Sequence, residues 1–388
     1  MTGDILETAA GGRLTIDLGA LVANYRRLCT RLGARTVAAV VKADAYGLGA
    51  DRAAPALQAA GCLDFFVAHL SEALALKPHL ARNARLYVLN GLQPGAEAAC
   101  AEAGVIPVIN SLEQARLWRA LAERFGRPLP IALQVDSGMS RLGLSPADVD
   151  RLVADPSFFQ HAPLALLMSH LACADEPDSP ANPQQLAAFE AAAAKLAAAR
   201  RSLANSGGVF LQAGFHGDLA RPGLALYGAA PNTDRPNPMA PVVGLTARLI
   251  QVRDVAAGQA VGYGLTYARE TPGRIATIAV GYADGWPRSL SNRGAAFYRG
   301  VRLPIAGRVS MDSLGLDVTA LADHGLSLRL GDEVELIGPH QTLEDVAQQA
   351  GTIPYEILTS LGRRYHHTYL EAAPAVVVEA KPLEAAAS

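Results

Sequence analysis

The chain has 388 residues, half of them hydrophobic, and a formal net charge of −2. That length exceeds one small core and suits two ordinary domains, or a barrel with a partner domain. The charge leaves no basic stripe for nucleic acid, and no apolar run approaches the roughly 18–20 residues of a membrane span.

In chain order, the opening MTGDILETAAGGRL lacks the basic and apolar regions of a secretory leader. Short β-branched or aromatic runs then alternate with helical stretches. They predict strands at residues 37–42, 64–68, 85–89, 105–109, 131–136, 165–170, 202–206 and 219–227. Ser111 and Gln114 make a capping box that opens a helix through Ala122. The Ala-rich stretch 184–204 reads as helix, because Leu186, Phe189, Leu196 and Leu203 line one face. Strands each followed by a helix or crossover fit an α/β fold, a parallel (β/α)8 TIM-type barrel. A doubly wound open sheet would show fewer strands and a nucleotide fingerprint. Gly47-x-Gly49 and Gly262-x-Gly264 both lack the third glycine, and GxxxxGK[ST], HExxH and GxSxG are missing. HLACADEPDSP, from His170 to Pro180, mixes His, Cys and acids without the spacing of a common metal-ligand set, so no metal is expected.

After about Pro241 the pattern changes to alternating runs at 246–252, 274–281, 301–305 and 333–337, with one helical pattern at 343–350. The expected division is a barrel domain, residues 1–240, and a mostly-β C-terminal domain, residues 241–388, joined through PNTDRPNPMAP. The tail KPLEAAAS is expected to stand outside the fold. Cys29, Cys62, Cys100 and Cys173 form no CxxC pair, as suits reduced thiols in a cytoplasmic protein.

VVKADAYGLG places a lone lysine, Lys42, at the end of a buried strand. A desolvated ammonium loses its proton more readily, which suits a nucleophile or a base. The alternative is a lysine that snorkels to the sheet edge. A barrel gathers chemistry at the C-terminal ends of its strands. The same reading puts Asp136 and Arg141 (QVDSGMSRLG), His170, Asn205 and Ser206 (ANSGG) and Arg221 (ARPGLALYG) at such ends. An amine facing hydroxyls, Gly-rich backbone and guanidinium suits a phosphorylated carbonyl cofactor. That points to pyridoxal 5'-phosphate as a Schiff base.

VVKADAYGLG closely resembles the cofactor-lysine motif of alanine racemases, and DSGMSRLG, RPGLALYG, GYGLTY, GYADGW, GRVSMD and PYEI follow in family order. The resemblance spans roughly residues 13 to 366. It implies a pyridoxal-phosphate-binding barrel followed by a β domain, and interconversion of L- and D-alanine for peptidoglycan synthesis. Lys42 would hold the cofactor and act as base on one face of the amino-acid substrate. Tyr267 in GYGLTY would be the second base, supplied by the partner subunit of a head-to-tail homodimer. A phenol with a reference pKa of about 10 needs nearby cations to favour phenolate. A packed strand tyrosine is the plainer reading of Tyr267.

Arg221 would face the pyridine nitrogen and keep it unprotonated, since guanidinium only donates; a surface ion pair is the alternative. Tyr46, Ser206, the backbone of Gly223 and Leu224, and Tyr355 would hold the phosphate, with Asn205 beside them. Arg141 and the Met311 amide would hold the substrate carboxylate. His170 would neighbour Arg221, or else be a satisfied core histidine. Tyr282 and Asp312 match positions at the entrance or behind the site.

One position departs from the family pattern. Gln134 stands where the family often has a carbamylated lysine bracing the arginine that matches Arg141. A chloride ion near Arg141 is expected to replace that charge; the alternative is a direct bond from the Gln134 carbonyl. The competing functions are a broader-specificity racemase, a barrel decarboxylase and a non-catalytic cofactor-binding protein. Decarboxylases of this kind use a cysteine in the second domain, and none follows Cys173. The binding proteins stop after the barrel.

Overall fold

The computed structural model describes residues 2–198 and 200–371; the KPLEAAAS tail and Ala199, within the expected Ala-rich helix, lie outside them. Seven strands make one parallel sheet in chain order: Ala39–Val40, Asp64–Val67, Arg85–Val88, Ile106–Ile109, Ile131–Gln134, Leu164–Met168 and Arg201–Ser202. Leu219–Ala220 closes the ring by pairing in parallel with Thr36–Val37, at the start of the first strand. On its other side, the Asp218 N–H donates to Arg201 O and the Arg221 N–H to Ala204 O, both at 2.8 Å. Sequential parallel order with intervening helices such as Ala50–Ala59 and Leu112–Phe125 is barrel topology. Ser111 caps the second of these helices, its Oγ accepting the Gln114 N–H at 3.2 Å. The Gln114 side chain reaches back to the Asn110 N–H at 2.8 Å, one residue beyond the capping-box pattern.

The last barrel strands are shorter than their sequence pattern. Only Ser202 of 202–206 and Leu219–Ala220 of 219–227 are extended in pairing, the former in the strand Arg201–Ser202. Pro222 lacks an N–H for a ladder, and the chain beyond it coils into the 3₁₀ turn Leu224–Tyr227. The Ala-rich helix runs Ala181–Ala193, because the chain must leave it in time to enter Arg201–Ser202.

The N-terminal ends of the strands are tied by a buried charge cluster. Asp64, fully buried, accepts two bonds from Arg85 at 2.7 Å, two from Arg200 at 3.2 and 3.1 Å, and one from Tyr87 at 3.2 Å. Charge at this end of a barrel reads as stability, and the opposite end is left for chemistry.

The second unit is an eight-stranded, mostly antiparallel sheet. Gly273–Ile278 pairs with both Leu314–Asp317 and Val243–Val255, so part of this sheet curls back on itself. Gly12–Asp17 is inserted between Val243–Val255 and His366–Leu370. Its alternation explains this: Leu14 and Ile16 are buried, whereas Arg13 and Thr15 are half-exposed. The chain's first strand therefore sits in the sheet of the C-terminal unit, across the division at residue 240. Among the described residues, no helix is long and apolar enough to cross a membrane, and no group of three or more His, Cys, Asp or Glu could hold a metal ion.

Candidate active site

Lys42 follows the strand Ala39–Val40 at the C-terminal end of the barrel. It lines a pocket with Tyr46, His170, Asn205, Ser206, Arg221, Gly223, Leu224 and Tyr355. Sequence reasoning named every one of these; Val40 and Leu89 complete the wall. No carboxylate is among the lining residues, so the cavity is a set of donors awaiting an acceptor.

The backbone after Lys42 is strained. Ala43, Asp44, Ala45 and Tyr46 form a left-handed turn with φ between 51 and 59°. Such a conformation costs on the order of 1–2 kcal/mol for each residue bearing a Cβ, and strain of this kind gathers at functional sites. Burial lowers the pKa of the Lys42 ammonium, the Arg141 charge lowers it further, and Glu72 opposes both.

Arg221 is buried at 3 % exposure without an acidic partner among the described residues. One guanidinium nitrogen donates to Ser202 Oγ, the other to Ser169 O at 2.5 Å, and Ser202 Oγ in turn donates to Leu219 O at 2.5 Å. Burial alone pushes the guanidinium down to about 9. His170 falls to about 3, through burial first and then the charges of Arg221, Arg141 and Lys42. It is therefore neutral at physiological pH.

At the far side, Ser206 Oγ accepts the N–H groups of Gly223 at 3.0 Å and Ala225 at 3.2 Å. With both lone pairs occupied, its own O–H is free to donate into the pocket. The Leu224 N–H, first in its turn, has no acceptor within that turn. Gly223 is required here, because a Cβ would stand 2.4 Å from Tyr46 Oη. The Tyr46 ring lies 4.7 Å from that of Tyr227 and 5.9 Å from that of Tyr355. Burial raises the phenols of Tyr46 and Tyr355, the latter to about 12, so both are neutral donors. Asn205 braces the wall, accepting the Gly208 N–H at 3.0 Å and donating to Leu171 O at 3.3 Å. An amine, an unpaired buried guanidinium and a cluster of hydroxyl and amide donors fit a ring bearing a carbonyl and a phosphate.

Other expected residues lie outside this lining. Arg141 is exposed, yet close enough to lower both Lys42 and His170, and it makes no hydrogen bond or ion pair among the described residues. The Gln134 amide donates to Leu142 O at 3.2 Å, and no bond joins its carbonyl to Arg141. Met311 and Tyr282 are exposed on the second unit. Asp312 pairs with Arg364 at 2.7 Å, and Arg364 also meets Asp284 at 3.1 Å.

Tyr267 does not meet the expectation of a phenolate. Its hydroxyl donates to Asp317 Oδ2 at 2.6 Å, and Arg269 pairs with the same carboxylate. Burial and Asp317 raise its pKa, outweighing the opposing Arg269. The other tyrosine of GYGLTY, Tyr263, is 71 % exposed between Gly262 and Gly264. Sequence reasoning also passed over Glu72, Ser169 and Ser202. Of these only Glu72 had a local signal, an acid three residues after the helix-capping His69.

The model of the alanine racemase N-terminal domain matches residues 16–231, and that of the alanine racemase C-terminal domain matches residues 242–369. The chain is 57% identical over 380 residues to an alanine racemase of Brucella ovis, covering 95% of this chain and 96% of that one. It is 56% identical over 362 residues to a catabolic alanine racemase of Agrobacterium fabrum, covering 93% of each chain. The crystal structure of alanine racemase from Bartonella henselae, with covalently bound pyridoxal phosphate, superposes with a TM-score of 0.90 at 45% identity. That match covers 93% of this chain and 100% of the other.

Proposed function

The chain belongs to the alanine racemase family, and from that premise we propose that it interconverts L- and D-alanine with pyridoxal 5'-phosphate held at Lys42. The observation that carries this reading is the carboxylate-free pocket in which Lys42, Arg221, Ser206 and Tyr355 converge. When bound through the lysine amine, pyridoxal phosphate makes the Cα–H of an amino acid acidic.

The chain's own groups would do the rest. Ser206, Tyr46, Tyr355 and the amides of Gly223 and Leu224 would hold the phosphate. Arg221 only donates, so a ring nitrogen facing it stays unprotonated. Lys42, its pKa lowered by burial, is suited to take and return a proton on one face of Cα. Arg141, without an acceptor among the described residues, would take the substrate carboxylate together with the Met311 amide.

Inversion needs a second base on the opposite face. We assign it to GYGLTY of the partner subunit in a homodimer, where Tyr263 is better suited than Tyr267. Exposure at a glycine-flanked tip supports Tyr263, whereas the Tyr267 proton is engaged by Asp317. The product would serve peptidoglycan synthesis in the cytoplasm; the catabolic Agrobacterium relative supplies the second reading.

The test is chiral chromatography of L-alanine incubated with the purified chain, beside Lys42→Ala. The wild type is expected to reach a racemic mixture and to absorb near ~420 nm, as a lysine-bound cofactor does. The variant is expected to show neither. Turnover of several other L-amino acids at comparable rates would replace alanine racemase with a broader-specificity racemase.

A further inference from the structure

The left-handed turn after Lys42 is held at both ends by carboxylates. Beyond its far end, the Ala50 N–H donates back to Oδ1 of Asp44, inside the turn, at 2.8 Å. At its near end Glu72 Oε1 accepts the N–H of Ala43, the residue next to Lys42, at 2.8 Å. The other Glu72 oxygen accepts the N–H groups of Ala68 at 2.6 Å and His69 at 3.2 Å. One carboxylate thus joins the end of strand Asp64–Val67, the start of helix Leu70–Leu76 and the neighbour of the lysine.

Glu72 makes no salt bridge of its own among the described residues, so its charge is not neutralised by a surface cation. Two charges act on Lys42 among the described residues: Arg141, in the loop after Ile131–Gln134, and Glu72, the one anion of the two. The other ionisable groups lining its pocket are Tyr46, His170, Arg221 and Tyr355, and none of them is a carboxylate.

We propose that Glu72 is a positioning residue for Lys42, closing the left-handed turn that aims the lysine and supplying the negative charge its amine faces. This rests on the reading of Lys42 as the cofactor-bearing amine. Closing the turn needs an acceptor for the Ala43 N–H, which a neutral amide also offers. Holding the ammonium needs a charge, which an amide lacks. The two roles are therefore separable by substitution.

The experiment strips cofactor from the full-length chain, adds pyridoxal phosphate, and follows the growth of bound-cofactor absorbance across pH. The rate rises with pH as Lys42 loses its proton. Glu72→Gln keeps the carbonyl and removes the charge, so the rise is expected to move to lower pH by roughly half a unit or more. Glu72→Asp keeps the charge but falls short of Ala43, so its rise is expected to stay in place while the plateau rate falls severalfold.

A uniform slowing of Glu72→Gln at every pH, without displacement of the rise, would reduce Glu72 to a structural brace and overturn the proposal. Wild-type profiles in both variants would overturn it as well. Lys42→Ala is run in parallel. If it acquires the same absorbance as wild type, the reading of Lys42 itself fails, an outcome distinct from failure at Glu72.

Discussion

The Tyr267 hydroxyl donates to Asp317 Oδ2 at 2.6 Å, and Arg269 pairs with the same carboxylate. A phenol in that arrangement is a hydrogen-bond donor whose proton is held in place. To act as a base it must give up the Asp317 bond and ionise beside a carboxylate. Tyr263 has no such tie among the described residues.

Tyr263→Phe is therefore expected to keep cofactor and lose racemase activity by the ~10²–10⁴-fold typical of a positioned acid or base. Tyr267→Phe is expected to cost about 1.5 kcal/mol of stability, the low end for a lost hydrogen bond to a charged group, with activity largely kept. Steady-state rates and urea midpoints measure both. If each site draws on two chains, mixing inactive Lys42→Ala and Tyr263→Phe subunits restores part of the activity. The reverse ranking of the two tyrosines would return the role to Tyr267.

Ser206 offers a sharper test of the anion cradle. Its oxygen satisfies the Gly223 and Ala225 amides while leaving its proton to donate. Ser206→Ala strands two buried N–H groups and removes one donor to phosphate. Cofactor affinity, measured by equilibrium dialysis, is expected to fall by about 1–3 kcal/mol. Gly223→Ala is expected to weaken it too, since its Cβ would meet Tyr46 Oη. Unchanged affinity in both variants would place the phosphate elsewhere.

The opposite end of the barrel governs stability rather than chemistry. Burial alone would raise the Asp64 carboxyl, but hydrogen bonds from Arg85 and Arg200 outweigh it and hold the pKa below the usual range. A depressed folded pKa contributes stability that is present above the unfolded value of about 3.9 and is lost as pH falls through the folded one. Asp64→Asn is expected to destabilise the chain at pH 7 by about 3 kcal/mol, the lower end for a broken buried pair, because Arg85 can reach solvent. Below the folded pKa the two proteins are expected to converge. Urea denaturation across pH checks this, and a constant difference down to strong acid would refute the assignment.

The pocket was legible in the sequence where residue type and strand position coincide, as at Lys42, Arg221 and Ser206. The alternation of Leu14 and Ile16 is visible too, but nothing local tells that strand to join a sheet built from residues 243–370. The turn at Ala43–Tyr46 was invisible, since four non-glycine residues carry no sign of left-handed backbone. Glu72 earns its place only through Ala43, a contact made by folding. Between Tyr263 and Tyr267, the pairing of Val261 with Tyr267 decides which ring turns toward Asp317, and that register is not written in GYGLTY.

The departure at Gln134 leads to the last prediction. A carbamylated lysine would bring a negative charge to Arg141, and an amide cannot. The plainer alternative was a bond from the Gln134 carbonyl to the guanidinium, and no such bond forms. One amide N–H of Gln134 is taken by Leu142 O, which leaves the second free to donate. Arg141 has no acceptor among the described residues, and a hydrogen bond to a charged group contributes about 1.5–3 kcal/mol. Donors from both side chains thus lack an anion, and chloride is the small anion expected to bridge them. Crystals grown in bromide are expected to show an anomalous peak beside Arg141. Replacing halide by a bulky anion should slow turnover. Gln134→Lys, given bicarbonate, is expected to supply its own negative charge and make the rate independent of halide. Water alone beside Arg141, with wild-type turnover indifferent to halide, would leave the arginine unbraced and remove chloride from the site.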